Sequence, residues 1–94
     1  MLKAIWKDQI IAESSATVLV EGNHYFPPQD VKHEYLVETD HRTQCPWKGE
    51  AHYYNLVVKG ETNENAAWYY PQPKEKAVHI TNHVAFWKGV SVGE

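Results

Sequence analysis

The feature that most restricts what this chain can become is its supply of β-branched and aromatic side chains, delivered in short runs. Val, Ile, Thr and the aromatics fill 31 of the 94 positions. Such side chains suit a pleated, half-buried surface and lose rotamer freedom in a helix. Gly, Pro and polar clusters cut the runs every few residues, which is how the turns of an antiparallel sheet are spelled. Leu2–Lys7 alternates and is followed by a polar turn at Lys7-Asp8-Gln9 and a second run at Ile10–Glu13, predicting a hairpin. Thr17–Glu21 reads as a third strand, stopped by Gly22-Asn23. Tyr25-Phe26-Pro27-Pro28 must be extended, because proline disfavours α conformation in the residue before it. Pro28–Lys32 can then start one helical turn. Tyr35–Thr39 reads as a strand or extended edge, and Asp40–Gly49 as a polar loop interrupted by Cys45-Pro46-Trp47. Ala51–Lys59 alternates again. Gly60–Asn65 reads as a polar turn into a strand at Ala66–Tyr70, and Pro71–Lys76 as a kinked segment with room for a turn of helix. Val78–Ile80 and Val84–Trp87 read as closing strands, with Val90–Val92 as a short tail strand. The expectation is a mostly β chain. It forms a single compact antiparallel β domain over residues 1–94, with one or two short helical turns.

Charge and cysteine content narrow the function classes. Hydrophobic residues make up 43% of the chain, which supports an ordinary core and excludes wholesale disorder. Nine Lys and Arg stand against twelve Asp and Glu, with Arg42 the one arginine and the lysines scattered. A nucleic-acid partner, which calls for a clustered basic excess against phosphates, is therefore not expected. Cys45 has no second cysteine to pair with, so no internal disulfide forms. Residues 3, 7 and 8 are charged, the opening segment lacks the apolar run of a signal peptide, and no stretch approaches a membrane span. The expectation is a soluble, cytoplasmic chain with no membrane partner. No Gly-x-Ser-x-Gly, P-loop, dinucleotide fingerprint or His-Glu-x-x-His occurs, which removes the common hydrolase, kinase and dehydrogenase readings.

Four segments in order carry a family likeness: Tyr25-Phe26-Pro27-x-x-Asp30-Val31, Thr43-x-Cys45-Pro46-x-Lys48-Gly49-x-Ala51-x-Tyr53-Tyr54, Ala67-Trp68-x-Tyr70-x-x-Pro73 and Ala85-Phe86-Trp87. The series resembles the family known as domain of unknown function 427, also labelled nucleotidyltransferase-like, over roughly Lys3 to Val92. The Thr-x-Cys-Pro-x-Lys-Gly element is its most specific part. The resemblance implies a small β domain similar to the tent-shaped sheets of methionine-sulfoxide reductase B and the Mss-four-like proteins. Those relatives commonly hold a structural zinc on paired cysteines, for which a single cysteine does not suffice. Neither a triphosphate-binding glycine loop nor a carboxylate pair for two Mg²⁺ accompanies the nucleotidyltransferase label in this chain.

The residues that could carry chemistry cluster in those same segments. Pro46 fixes one φ and Gly49 permits a positive one, so the turn between them can present Cys45 and Lys48 to one side. A neighbouring cation would favour a Cys45 thiolate as nucleophile or redox centre. Alternatively, Cys45 is a small buried hydrophobe and Lys48 closes an ion pair with a carboxylate such as Glu21. Glu21 itself, leaving a hydrophobic strand, could act as acid, base or hydrogen-bond acceptor, or simply be solvated. On a strand, Trp68 and Tyr70 share one face and Tyr69 the other. Near Lys48 that pair would make a stacking wall, and with Tyr25 and Thr43 it forms the candidate ligand-binding set; core packing is the competing role. His79-x-x-x-His83 places two rings on one side of a helix or strand, but no third metal ligand is identifiable, and no metal or other cofactor is expected. The leading expectation is a pocket for a small planar, anionic metabolite, with Lys48, Glu21 and Cys45 as candidate catalytic groups. The alternative is a non-enzymatic module, monomeric or homodimeric, that binds another protein or itself.

Overall fold

Turn chemistry sets the architecture. In three two-residue turns both central residues have positive φ: Lys7 (52°) with Asp8 (62°), Glu21 (52°) with Gly22 (82°), and Lys59 (52°) with Gly60 (78°). This is the primed geometry, whose twist matches that of the strands on either side. The first turn joins β1 (Leu2–Trp6) to β2 (Gln9–Ser14), and the second joins β3 (Val18–Val20) to β4 (Asn23–Tyr25). The third joins β6 (Gly49–Val58) to β7 (Glu61–Tyr69). The remaining strands are β5 (Leu36–Cys45), β8 (Val84–Phe86) and β9 (Ser91–Gly93). The structure, a computed structural model, describes all 94 residues.

The strands form three antiparallel sheets, ordered β2-β1-β9, β3-β4 and β5-β6-β7-β8. Phe26, just beyond β4, exchanges backbone hydrogen bonds with Val84 at 2.8 and 2.9 Å, stitching the two-stranded sheet to the edge of the four-stranded one. The four-stranded sheet divides the apolar interior in two. Leu56 and Val58 of β6 face a core shared with Ala4, Ile11, Phe26 and Phe86. Ala51 and Tyr53 of the same strand face a second core with Tyr25, Tyr70, Ile80 and Ala85. A bulge between Tyr54 and Leu56 shifts the register between those two halves of β6. Each fully buried Leu or Ile contributes roughly 1.5–3 kcal/mol relative to exposure, so both cores matter to a chain of this size. No helix is long and apolar enough to cross a membrane.

Several local expectations need correction. Asp40–Gly49 is not a loop: β5 runs through Cys45, and the turn is confined to Pro46–Lys48. As an edge strand mostly facing solvent, β5 carries no apolar alternation to announce it. The turn expected at Gly60–Asn65 is only Lys59-Gly60, since β7 begins at Glu61 with its exposed, polar end. Val78–Ile80 belongs to a 3₁₀ turn, Glu75–Ile80, which buries Ala77 and Ile80 three residues apart. Further 3₁₀ turns lie at Pro28–Asp30, where one was expected, and at His33–Tyr35.

Candidate functional site

The turn after β5 is held from behind by the segment that follows β7. Gly49 sits at φ 113°, a conformation that L side chains rarely adopt. The Lys74 amide donates to the Lys48 carbonyl at 2.9 Å, and Lys74 Nζ donates to the Pro46 carbonyl at 2.8 Å. So clamped, the turn sends the Lys48 side chain inward, leaving the residue only 6% exposed. Lys48 Nζ donates to Glu21 Oε1, and the Trp47 indole donates to Glu21 Oε2 at 3.2 Å. The ammonium also lies 5.5 Å from the ring centres of both Trp47 and Tyr70. Glu21 reaches this pair from the β3–β4 turn.

Lys48 forms part of the wall of an open hollow of about 200 Å³, completed by Tyr53, Trp68, Tyr70 and Trp87. The polar tips of three of those rings are occupied. Tyr53 Oη pairs with Thr43 Oγ1 at 3.1 Å, the Trp68 indole donates to Tyr25 Oη at 3.2 Å, and the Trp87 indole donates to the Asn65 carbonyl at 2.7 Å. Trp68 stands edge-on to Trp87, their centres 6.0 Å apart. The walls are therefore fixed in place and offer chiefly aromatic surface, with the lysine as the charged donor.

Electrostatics fix the protonation states. Burial acts to lower the Lys48 pKa, but the Glu21 hydrogen bond and the neighbouring Tyr25, Tyr70 and Cys45 outweigh it and leave the value raised. Hydrogen bonds from Lys48 and then Trp47 hold the Glu21 carboxyl below its ordinary range. Tyr70 is pushed up to about 12, first by burial and then by Tyr25, against the pull of Lys48. An ammonium, a carboxylate and a neutral phenol therefore persist together across the neutral range.

Of the residues singled out from sequence, Lys48, Trp68 and Tyr70 meet in the hollow. Glu21 pairs with Lys48, the arrangement that the plainer reading of Lys48 anticipates. Tyr25 is fully buried behind Trp68, and Thr43 lies exposed on β5, where it braces Tyr53. Cys45 ends β5 half-buried against the second core. Tyr69 points into the opposite core, as alternation requires. Tyr53 and Trp87 complete the wall without having been singled out for it. Alternation puts Tyr53 on the Ala51 face, but nothing local brings Trp87 to Trp68. His79 is exposed on its 3₁₀ turn, while His83 Nδ1 lies 3.0 Å from the Thr81 carbonyl. No group of three or more His, Cys, Asp or Glu converges as a metal site would require, and one cysteine cannot supply the paired thiolates of a zinc site. A separate polar cavity of about 430 Å³ lies between Glu50, His52, Pro71, Gln72 and Asn82.

An antiparallel β domain with a lysine-bearing aromatic hollow is the class that fold and site define. The chain belongs to the family described as domain of unknown function DUF427, whose model matches residues 1–93. No curated protein matches the sequence significantly.

Proposed function

We propose that this protein binds a small planar molecule in the hollow, stacking it against Trp68 and its aromatic neighbours and donating a hydrogen bond from Lys48 to an oxygen on the ligand. The observation that carries this reading is a buried ammonium set into a wall otherwise made of aromatic rings. Aromatic surface favours a flat, apolar ring, and one charged donor fixes its orientation. A tethered ammonium and an ionised carboxylate favour binding over acid–base turnover, so Lys48 and Glu21 act as recognition groups. The test is a titration of the ¹⁵N-labelled protein with a panel of planar fragments, following the Trp68 and Trp87 indole signals. Binding confined to those signals and weakened by Lys48→Met supports the reading. A panel that leaves both indoles unmoved, or moves them equally in Lys48→Met, defeats it.

The second reading, a protein-interaction or self-association module, draws on Trp87 and Trp47, which remain 48% and 36% exposed. Light scattering decides between them. A stable dimer lost on Trp87→Ala favours the module, and a monomer at high concentration favours the pocket.

A further inference from the structure

We infer that Glu21 is the specificity-determining residue of the hollow, and that by neutralising Lys48 it selects uncharged planar rings bearing a carbonyl over rings bearing a carboxylate. The inference rests on the hollow being the binding site and goes on to name the class of molecule it takes.

Lys48 taken alone would make the hollow an anion site. It is not alone, because Glu21 Oε1 accepts from its ammonium and the local charge sums to zero. An ammonium has three N–H bonds, so the one directed at Glu21 leaves donor capacity for a ligand oxygen. An incoming carboxylate would meet that donor but also the Glu21 carboxylate beside it, a like-charge contact worth several-fold in affinity even in a solvent-screened setting. It would also have to shed its hydration against aromatic walls. A neutral carbonyl takes the same hydrogen bond without either cost. Glu21 is held for this role from two sides, since the Trp47 indole donates to its second oxygen at 3.2 Å. Its charge persists at neutral pH for the same reason. The other wall residues, Tyr53, Trp68, Tyr70 and Trp87, add no formal charge that would alter this balance.

The probes are benzamide and benzoate, which share a ring and differ in charge, titrated while the Trp68 and Trp87 indole signals are followed. The wild-type protein should bind benzamide more tightly. Glu21→Gln keeps a hydrogen-bonding side chain at the turn and removes the charge, and should shift the benzamide-to-benzoate preference about tenfold toward benzoate. Glu21→Asp keeps the charge and should keep the wild-type order, which separates charge from any disturbance of the turn. If benzoate binds the wild-type hollow more tightly, or if Glu21→Gln leaves the preference unchanged, the role of Glu21 is overturned while the pocket stands. If neither probe moves the indoles of any variant, the pocket falls and this inference falls with it.

Discussion

Lys48 and Glu21 lie 27 positions apart in the chain and meet as an ion pair across two different hairpin turns. The pair is lopsided: the lysine side chain is 7% exposed and the glutamate 51%. One partner is therefore committed to the interior, while the other stands at the surface.

That asymmetry predicts different outcomes for substitutions at position 48. Lys48→Met fills nearly the same volume without a buried charge, and its stability should stay within about 1 kcal/mol of wild type or exceed it. Lys48→Ala unpairs Glu21 just as Lys48→Met does but also leaves a void, and should be the less stable of the two. Urea denaturation of both variants checks the order.

Protonation makes a second prediction. The Glu21 pKa is lower in the folded state than its ordinary 4.5, so the stability it contributes is present above that value and fades as pH falls through the folded one. Lys48, Tyr54, Tyr69 and Tyr70 are shifted upward, each toward its protonated form. Their contributions are present below the ordinary values and are lost as pH rises through the folded ones. For Tyr70 that window runs from 10.0 to about 12. Denaturation midpoints should fall across it, and Tyr70→Phe should flatten that limb.

Tyr25 is wholly buried, and its hydroxyl accepts the Trp68 indole hydrogen at 3.2 Å. Tyr25→Phe removes the acceptor and should cost about 1 kcal/mol, or roughly 4–8 °C in Tm for a domain of this size. The Trp68 indole resonance should move with it, since the ring loses its tether.

Two of the three two-residue hairpins have glycine second, and the β1–β2 turn has Asp8 at φ 62°. Asp8→Gly relieves the left-handed conformation there and should raise stability by about 0.5 kcal/mol, read as a higher thermal midpoint.

The strands that face a core on at least one side could be read from the sequence. Ala51–Lys59 announces itself because its alternate residues go to two cores, and Leu2–Lys7 because its hairpin partner follows at once. The stretches that carry no legible pattern pair with a neighbouring strand but face no core. β5 borders solvent along most of its length, so Asp40–Gln44 looks like a loop, and the first half of β7 looks like a turn for the same reason. At Val78–Ile80 the apolar content suggested a strand, yet the spacing of Ala77 and Ile80 by three was a legible sign of a 3₁₀ turn. In the site, the conformational demands of Pro46 and Gly49 made the Lys48 turn visible. The arrival of Trp87 beside Trp68 depends on which strands pair, and no local pattern encodes that.

The walls of the hollow are borrowed from across the chain: Lys48 from the turn before β6, Tyr53 from β6, Trp68 from β7, Tyr70 just beyond it, and Trp87 just past β8. No contiguous fragment contains the site in working form, so occupancy doubles as a gauge of global folding. A ligand held there is linked thermodynamically to the integrity of every strand that contributes a wall, and saturating it should slow amide exchange throughout the four-stranded sheet as well as at the mouth.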